Sequence, residues 1–365
     1  MENTKMTMEE FSSYIKDHIF DDASGNYEGV SAELQDVTKN NGMELHGLVI
    51  KDEASKIAPT IYLEGSYEKY KNGMDVGEIM ADIRDVYDTH RSPQNLAVDF
   101  FTDFDQAKDR LAMKIVNYDK NKEMLENLPH FKYGDLAAIF QVQVDANEFG
   151  NAVITVRNEH MNMWGTNPTE MMEAAKANME EKAPMNIRSM MDVMADMMGM
   201  SREDMEEMGA DSMPMYVMTN ETKINGAAAM IFTDKLQEFA ESHDCNMFIL
   251  PSSIHEVLLI PEDAGMDVES LKAMVSEVNA NEVAPEEVLS DNVYFYDKDA
   301  KQLMIAETKE PLVLKEAGKE VVSKQKEMAD RPKTIKDKLA DGKAKVAEKS
   351  AEPKLPKDKS KGQEI

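Results

Sequence analysis

The stretch Leu250-Pro251-Ser252-Ser253-Ile254-His255-Glu256-Val257 brings a nucleophile, a base and an acid within a few residues of one another. A serine hydroxyl attacks a carbonyl when a neighbouring imidazole takes its proton and an acid orients that imidazole. Ser252 or Ser253, His255 and Glu256 are therefore the candidate catalytic residues of a serine hydrolase. Their spacing argues against that chemistry. Triads are assembled from distant segments, no Gly-x-Ser-x-Gly elbow is present, and on a strand His255 and Glu256 point to opposite faces. The stretch reads better as a Pro-Ser-Ser turn entering a buried strand.

Metal chemistry has scattered candidates. His130, Asp135, Glu159, His160 and His255 offer imidazole and carboxylate groups of the kind zinc or iron takes, but no pair has H-x-x-x-H spacing. The thioethers of Met190, Met191, Met194, Met197, Met198 and Met200 suit Cu(I), yet such a site normally needs a helper histidine and an oxidising setting. Cys245, two residues after His243, reads as a connector, because an acidic surrounding raises a thiol pKa. Neither G-x-x-x-x-G-K nor G-x-G-x-x-G occurs. No cofactor is expected.

The least ordinary composition lies between Met185 and Met215, where 11 of the 31 methionines fall. Met190, Met194, Met197 and Met198 share a helical stripe, and Met205 and Met208 extend it past Gly199 and Ser201. Thioethers neither move protons nor attack carbonyls, but flexible, polarizable side chains repack around differently shaped apolar partners. The stripe either completes a core or forms a flap over a groove that takes a peptide or a partner helix. These six methionines are the candidate partner-binding residues.

Charge narrows the partners. The 365 residues carry a net charge of −29, of which residues 1–308 contribute −34 and residues 309–365, rich in Lys, Glu and Pro, +5. A field of that sign repels phosphate backbones and anionic lipid, so neither nucleic acid nor membrane is an expected partner. A single cysteine excludes an internal disulfide, and MENTKMTMEEF has no basic segment leading into an apolar one. No window reaches the roughly 18 apolar residues of a spanning helix. A cytoplasmic location is expected.

The elements that must position these residues are legible as hairpins and helices. Thr7 and Glu10 form a capping box ahead of Phe11, Tyr14, Ile15 and His18. Residues 32–38 and 43–50 flank an Asn-Asn-Gly turn, and Asp75 caps a helix with Val76, Ile79, Met80, Ile83 and Val86 inward. The order recurs with strands at 136–144 and 152–157 before a helix opened by Asn167-Pro168. Strands follow at 215–219, 227–232, 247–250 and 256–260, with helices capped by Thr233 and Asp267, and a last hairpin pairs 293–296 with 302–305. Residues 97–128 read mostly as helix from Ala107, Leu111, Ile115 and Tyr118, and Trp164 reads as core packing.

Three stretches carry a resemblance. KNNGMELHGLVIKDEASKIAPTIYLEGSYEKY, ITVRNEHMNMWGTNPTEMMEAAKAN, and PMYVMTNETKINGAAAMIF with FILPSSIHEVLLIPED resemble the signature blocks of an uncharacterised domain-of-unknown-function family of gut Clostridia. The later blocks are distantly similar to the YtpQ-like family of Firmicutes, at Asn178 and at Pro251, Glu256 and the strand from Val257 to Ile260. The resemblance implies one long domain architecture in an intracellular setting and brings no activity with it.

The expectation is an α+β protein of β-hairpins alternating with amphipathic helices, its sheets mostly antiparallel or mixed. An N-terminal lobe covers 1–128, a C-terminal lobe covers 129–308 with a Met-rich helical insertion at 185–213, and 309–365 form a disordered tail. The expected function is binding of a protein or peptide through the Met-rich flap. A serine hydrolase and a metal-binding protein are the alternatives.

Overall fold

Helix α1 (Met8–His18) begins where its capping box predicts. In this computed structural model, which describes residues 5–21, 27–53, 58–90, 99–147, 150–207 and 214–316, Thr7 Oγ1 accepts from the Glu10 amide at 3.2 Å. The Glu10 carboxylate accepts in turn from the Thr7 amide at 2.9 Å. The helix buries Phe11 and Ile15 against an antiparallel sheet of β1 (Val30–Thr38), β2 (Glu44–Asp52) and β3 (Thr60–Tyr62). Two more helices, α2 (Glu64–Lys71) and α3 (Val76–His90), close this core around Leu48, Ile50, Ile79 and Tyr87. Val86, placed inward by its spacing, is instead exposed. The β1–β2 turn runs through Asn41 at φ 62° and Gly42 at φ 69°, the left-handed region that Asn and Gly tolerate.

The helix expected over 97–128 is mostly a strand. Two short helices, α4 (Phe104–Ala107) and α5 (Lys122–Leu125), flank β4 (Leu111–Asn117). Leu111 and Ile115 are four apart, a helical spacing, but Met113 lies between them and all three are buried on one face, which is period two. Strand β4 pairs with β6 (Leu136–Asn147), whose other side takes β5 (His130–Tyr133) and β7 (Gly150–Thr155). The pairing of β4 with β6 thus crosses residue 128, where the sequence suggested a lobe boundary.

Two helices follow, α6 (Asn158–Trp164) and α7 (Pro168–Lys182). Asn167 caps α7, its Oδ1 accepting from the Glu170 amide at 3.0 Å. Asn167→Ala removes that acceptor and is expected to cost about 1 kcal/mol, read as a lower urea midpoint at an unchanged slope.

The Met-rich segment is not helical throughout. Its first residues form β8 (Met185–Ser189), and only then come α8 (Met190–Met198) and α9 (Arg202–Glu207); residues 208–213 lie outside the described residues. Beyond them lie β9 (Tyr216–Asn220), α10 (Thr233–His243), β10 (Met247–Leu250), β11 (Val257–Pro261), α11 (Val268–Asn281), β12 (Tyr294–Asp297), β13 (Gln302–Ile305) and β14 (Leu314–Glu316). A third sheet has the order β13-β12-β10-β11-β9-β8, each of these pairs antiparallel. Residues 227–232, expected as a strand, fall instead in a buried 3-10 helix (Gly226–Ile231) and its C-cap Phe232, because three consecutive alanines leave no alternating face to pair. Strand β14, within the segment expected as tail, pairs with β5, and the rest of that tail from 317 lies outside the described residues.

One core joins the second and third sheets. Leu111, Ile115 and Phe140 meet Met218, Ile249, Leu259 and Tyr294, with Met171 and Ala175 of α7 and Leu236 of α10 packed in. Helix α11 covers the other face of the third sheet through Leu271 and Val275, against Phe248 and Phe295. Helix α5 covers the other face of the second through Leu125, against Val116 and Ile139. The architecture is α+β, with the loops at 220–226, 251–256 and 284–290 gathered beside β4.

Candidate functional site

The Pro-Ser-Ser turn does not assemble a triad. Ser253 Oγ accepts from the backbone amide of His255 at 3.0 Å, shaping the turn without approaching the imidazole as a nucleophile would. Ser252 is buried, and its carbonyl accepts from the Leu289 amide. Glu256 is exposed just ahead of β11.

His255 finds other partners. Its Nδ1 accepts from the Asn225 amide at 3.2 Å, which leaves the proton on Nε2, and Nε2 lies 3.3 Å from Glu287 Oε1. The His255 carbonyl accepts from Thr219 Oγ1 at 2.8 Å, and Asn225 Nδ2 donates to Gln141 Oε1 at 3.1 Å. Gln141 lies on β6 opposite Ala112, on the sheet face that carries Lys114 two residues along β4. Five segments far apart in sequence thus meet around an imidazole–carboxylate pair, an amide pair and a lysine. That arrangement can position a polar ligand and hold a proton at Nε2.

Sequence reasoning singled out His255 and missed its partners. Glu287 lies 32 residues on, so no local spacing connects the two. Lys114 did leave a signal, a lone cation in the apolar run Leu111 to Val116.

Beside this centre runs a cleft of about 260 Å³ lined by Arg110, Gln141, Gln143, Asn178, Asn220 and Asn225, among others. It adjoins a second cleft of about 340 Å³, which shares Met179, Ala183 and Asn220 and is more apolar through Met185, Ala229 and Phe232. Several of the amides serve structure: Asn178 Nδ2 donates to the carbonyls of Lys108 and Leu111 at 2.7 and 2.9 Å, and Asn220 Nδ2 to that of Ile224 at 2.9 Å.

The methionine stripe divides. Met205 is 3% exposed and Met190 partly buried, while Met194, Met197 and Met198 are 39, 83 and 58% exposed; Met208 lies outside the described residues. Arg188 bonds the Asp196 carboxylate at 2.6 Å and Arg202 approaches Asp192 and Glu206, so β8, α8 and α9 are tied to one another. Ala195 and Met205 form the inner side of this hairpin.

The metal-ligand candidates have separate duties. His130 Nδ1 donates to the Leu128 carbonyl, His160 Nδ1 accepts from the Arg157 amide, and Asp135 accepts from Ser290, Asn292 and Tyr294. Among the described residues no group of three or more His, Cys, Asp or Glu is placed to hold a metal ion. Burial, with the charge of Asp263 behind it, pushes the Cys245 thiol up. Trp164 packs at the rim of the main core and donates Nε1–H to the Phe101 carbonyl at 2.7 Å. Among the described residues no helix is long and apolar enough to cross a membrane.

A family model described as a family of unknown function (DUF5688) matches residues 8–298. No curated protein and no solved structure matches the chain.

Proposed function

The chain belongs to the DUF5688 family, whose function is unknown, and from that footing we propose that it is a binding module whose Met-rich hairpin receives a basic, amphipathic peptide helix. The observation that carries this reading is the exposure of Met194, Met197 and Met198 on α8, since soluble surfaces rarely leave neighbouring large apolar side chains in water. Charge selects the partner. Between Met190 and Glu207 stand six Asp or Glu and one Arg, so the thioethers lie in an acidic field that favours Lys- or Arg-rich helices. Met205 and Ala195 behind them anchor the hairpin.

The reading includes a cytosolic setting, supported by the lone, partly buried Cys245. It includes also the narrower kinship with gut Clostridial proteins and with the YtpQ-like family. The YtpQ-like part of that kinship rests on Asn178 and on Pro251, Glu256 and the strand from Val257 to Ile260, which here hold structural positions.

The test is a fluorescence-anisotropy titration of the full chain into a labelled 18-residue Leu/Lys amphipathic peptide. Saturable binding is expected, with no binding to the Leu/Glu counterpart. The triple variant Met194→Gln, Met197→Gln, Met198→Gln keeps helix propensity and is expected to bind tenfold or more weakly. Equal affinity in the variant, or no binding to the basic peptide, overturns the proposal.

A further inference from the structure

The cleft beside β4 holds three side-chain amide atoms with hydrogen-bonding capacity to spare. Gln141 is 8% exposed, and its Oε1 accepts from Asn225 Nδ2 at 3.1 Å. That single bond leaves Gln141 Nε2 without an acceptor, and Asn225 Oδ1 without a donor, among the described residues. Asn178 spends its Nδ2 on the carbonyls of Lys108 and Leu111, which leaves its Oδ1 without a donor among the same residues. All three residues line the cleft, and none of the three atoms is closed off from water.

The fold brings them there. Gln141 stands opposite Ala112 on the edge strand β4, a side chain short enough for the amide to reach past it to the 220–226 loop. Helix α7 caps the free edge of β4, with Asn178 on the Leu111 carbonyl and Met179 Sδ accepting from the Met113 amide at 3.4 Å. An extended peptide therefore finds no open strand edge to pair with, and the space suits a compact molecule.

Charge and hydrogen-bonding inventory define that molecule. The basic residues lining the two joined clefts are committed elsewhere: Arg110 donates to the Val144 carbonyl and lies over the Phe100 ring, Lys182 donates to the Asp109 carbonyl, and Lys235 pairs with Glu238. A carboxylate offers only acceptors, so it would meet Asn178 Oδ1 and Asn225 Oδ1 with none of the donors they lack. A primary carboxamide carries one carbonyl and two N–H donors, the converse of one free amide nitrogen and two free amide oxygens. The adjoining cleft of about 340 Å³ is lined by Met185, Ala229 and Phe232 and receives an apolar body.

We propose that the joined clefts bind a small uncharged molecule bearing a primary carboxamide on an apolar body. Its carbonyl accepts from Gln141 Nε2, its N–H groups donate to Asn225 Oδ1 and Asn178 Oδ1, and its body lies against Met185 and Phe232. The site shares no residue with the exposed methionines of α8 and does not depend on the function proposed above.

The experiment is isothermal titration calorimetry of the full chain with hydrocinnamamide, with hydrocinnamate and with N,N-dimethylhydrocinnamamide, three probes that share one apolar body. Saturable binding of hydrocinnamamide is expected, with a Kd of about 1 mM or tighter for a molecule of this size. The carboxylate and the dimethyl amide, which lack the two N–H donors, are expected to bind about tenfold or more weakly. Gln141→Glu keeps an oxygen for Asn225 Nδ2 but removes the donor to the ligand carbonyl, and is expected to weaken hydrocinnamamide by about tenfold or more. Where that variant does not fold, Ala183→Leu decides on the same terms, because Ala183 lines both clefts and a larger side chain narrows the passage between them. No saturable binding of hydrocinnamamide, equal affinity for either of the other probes, or undiminished affinity in the deciding variant overturns the proposal.

Discussion

Gly226→Ala is expected to destabilise the protein by about 3 kcal/mol or more, because the methyl group has nowhere to go. A Cβ built on Gly226 lies 2.5 Å from the His255 carbonyl oxygen, 2.8 Å from the Asn220 amide nitrogen and closer still to Thr219 Oγ1. Two of the three atoms belong to backbone held in place. Asn220 ends β9, and the His255 carbonyl accepts from Thr219. Relief therefore requires moving the 251–256 turn away from β9, which breaks that hydrogen bond and shifts the imidazole from Asn225 and Glu287. A urea titration should show a much lower midpoint. Gly65→Ala is the control: it lies within α2, no atom lies within 4 Å of its would-be Cβ, and better helix propensity should add about 0.5–1 kcal/mol. Equal effects at the two positions would show that Gly226 is not the tight contact described.

Local chemistry was the most legible part of this fold. The capping box at Thr7 and Glu10, the Asn167-Pro168 start and the Asn-Asn-Gly turn each depend on a few neighbouring residues, and each stands where the spacing placed it. The sequence is ambiguous where one spacing serves two structures. Leu111 and Ile115 fit a helical stripe, yet with Met113 they fit a strand equally well, and pairing with β6 decides between them. Met185 to Ser189 similarly reads as continuous with the helix that follows, and antiparallel pairing with β9 makes it a strand.

The site was legible only as single residues. His255 was singled out because it is a histidine among polar neighbours, but the acid beside it in sequence is not the acid beside it in space. Glu287 and Asn225 arrive through turns whose positions follow from packing of the third sheet, and a spacing argument carries no such information. The methionines illustrate the same limit. Met194 and Met205 are chemically alike and share a predicted stripe, but one faces water and the other the inside of its own hairpin, since burial depends on what stands behind each helix.

Asp135→Ala is expected to cost about 3–4 kcal/mol, since it strands two buried donors at once. Asp135 sits in the two-residue turn between β5 and β6 after Gly134, whose φ of 65° allows the reversal. Its Oδ2 accepts from Ser290 Oγ at 2.6 Å and from Asn292 Nδ2 at 2.9 Å, and its Oδ1 from the Tyr294 hydroxyl at 2.8 Å. Ser290 and Tyr294 are fully buried, so water cannot replace the lost acceptor. Burial first, and then the charge of Asp135, hold the Tyr294 phenol well above its ordinary pKa, so it remains a donor across the range in which the protein is handled. The three donors alternate along one segment that leads into β12, which makes this carboxylate the polar joint between the second and third sheets. Asp135→Asn should lose less than Asp135→Ala, because one amide oxygen still accepts. In a double-mutant cycle, adding Tyr294→Phe to Asp135→Ala should cost less than Tyr294→Phe costs alone, by about 1–2 kcal/mol, since the stranded hydroxyl is then absent. Strictly additive losses would mean that the hydroxyl finds another acceptor and that the sheets are joined by their apolar core alone.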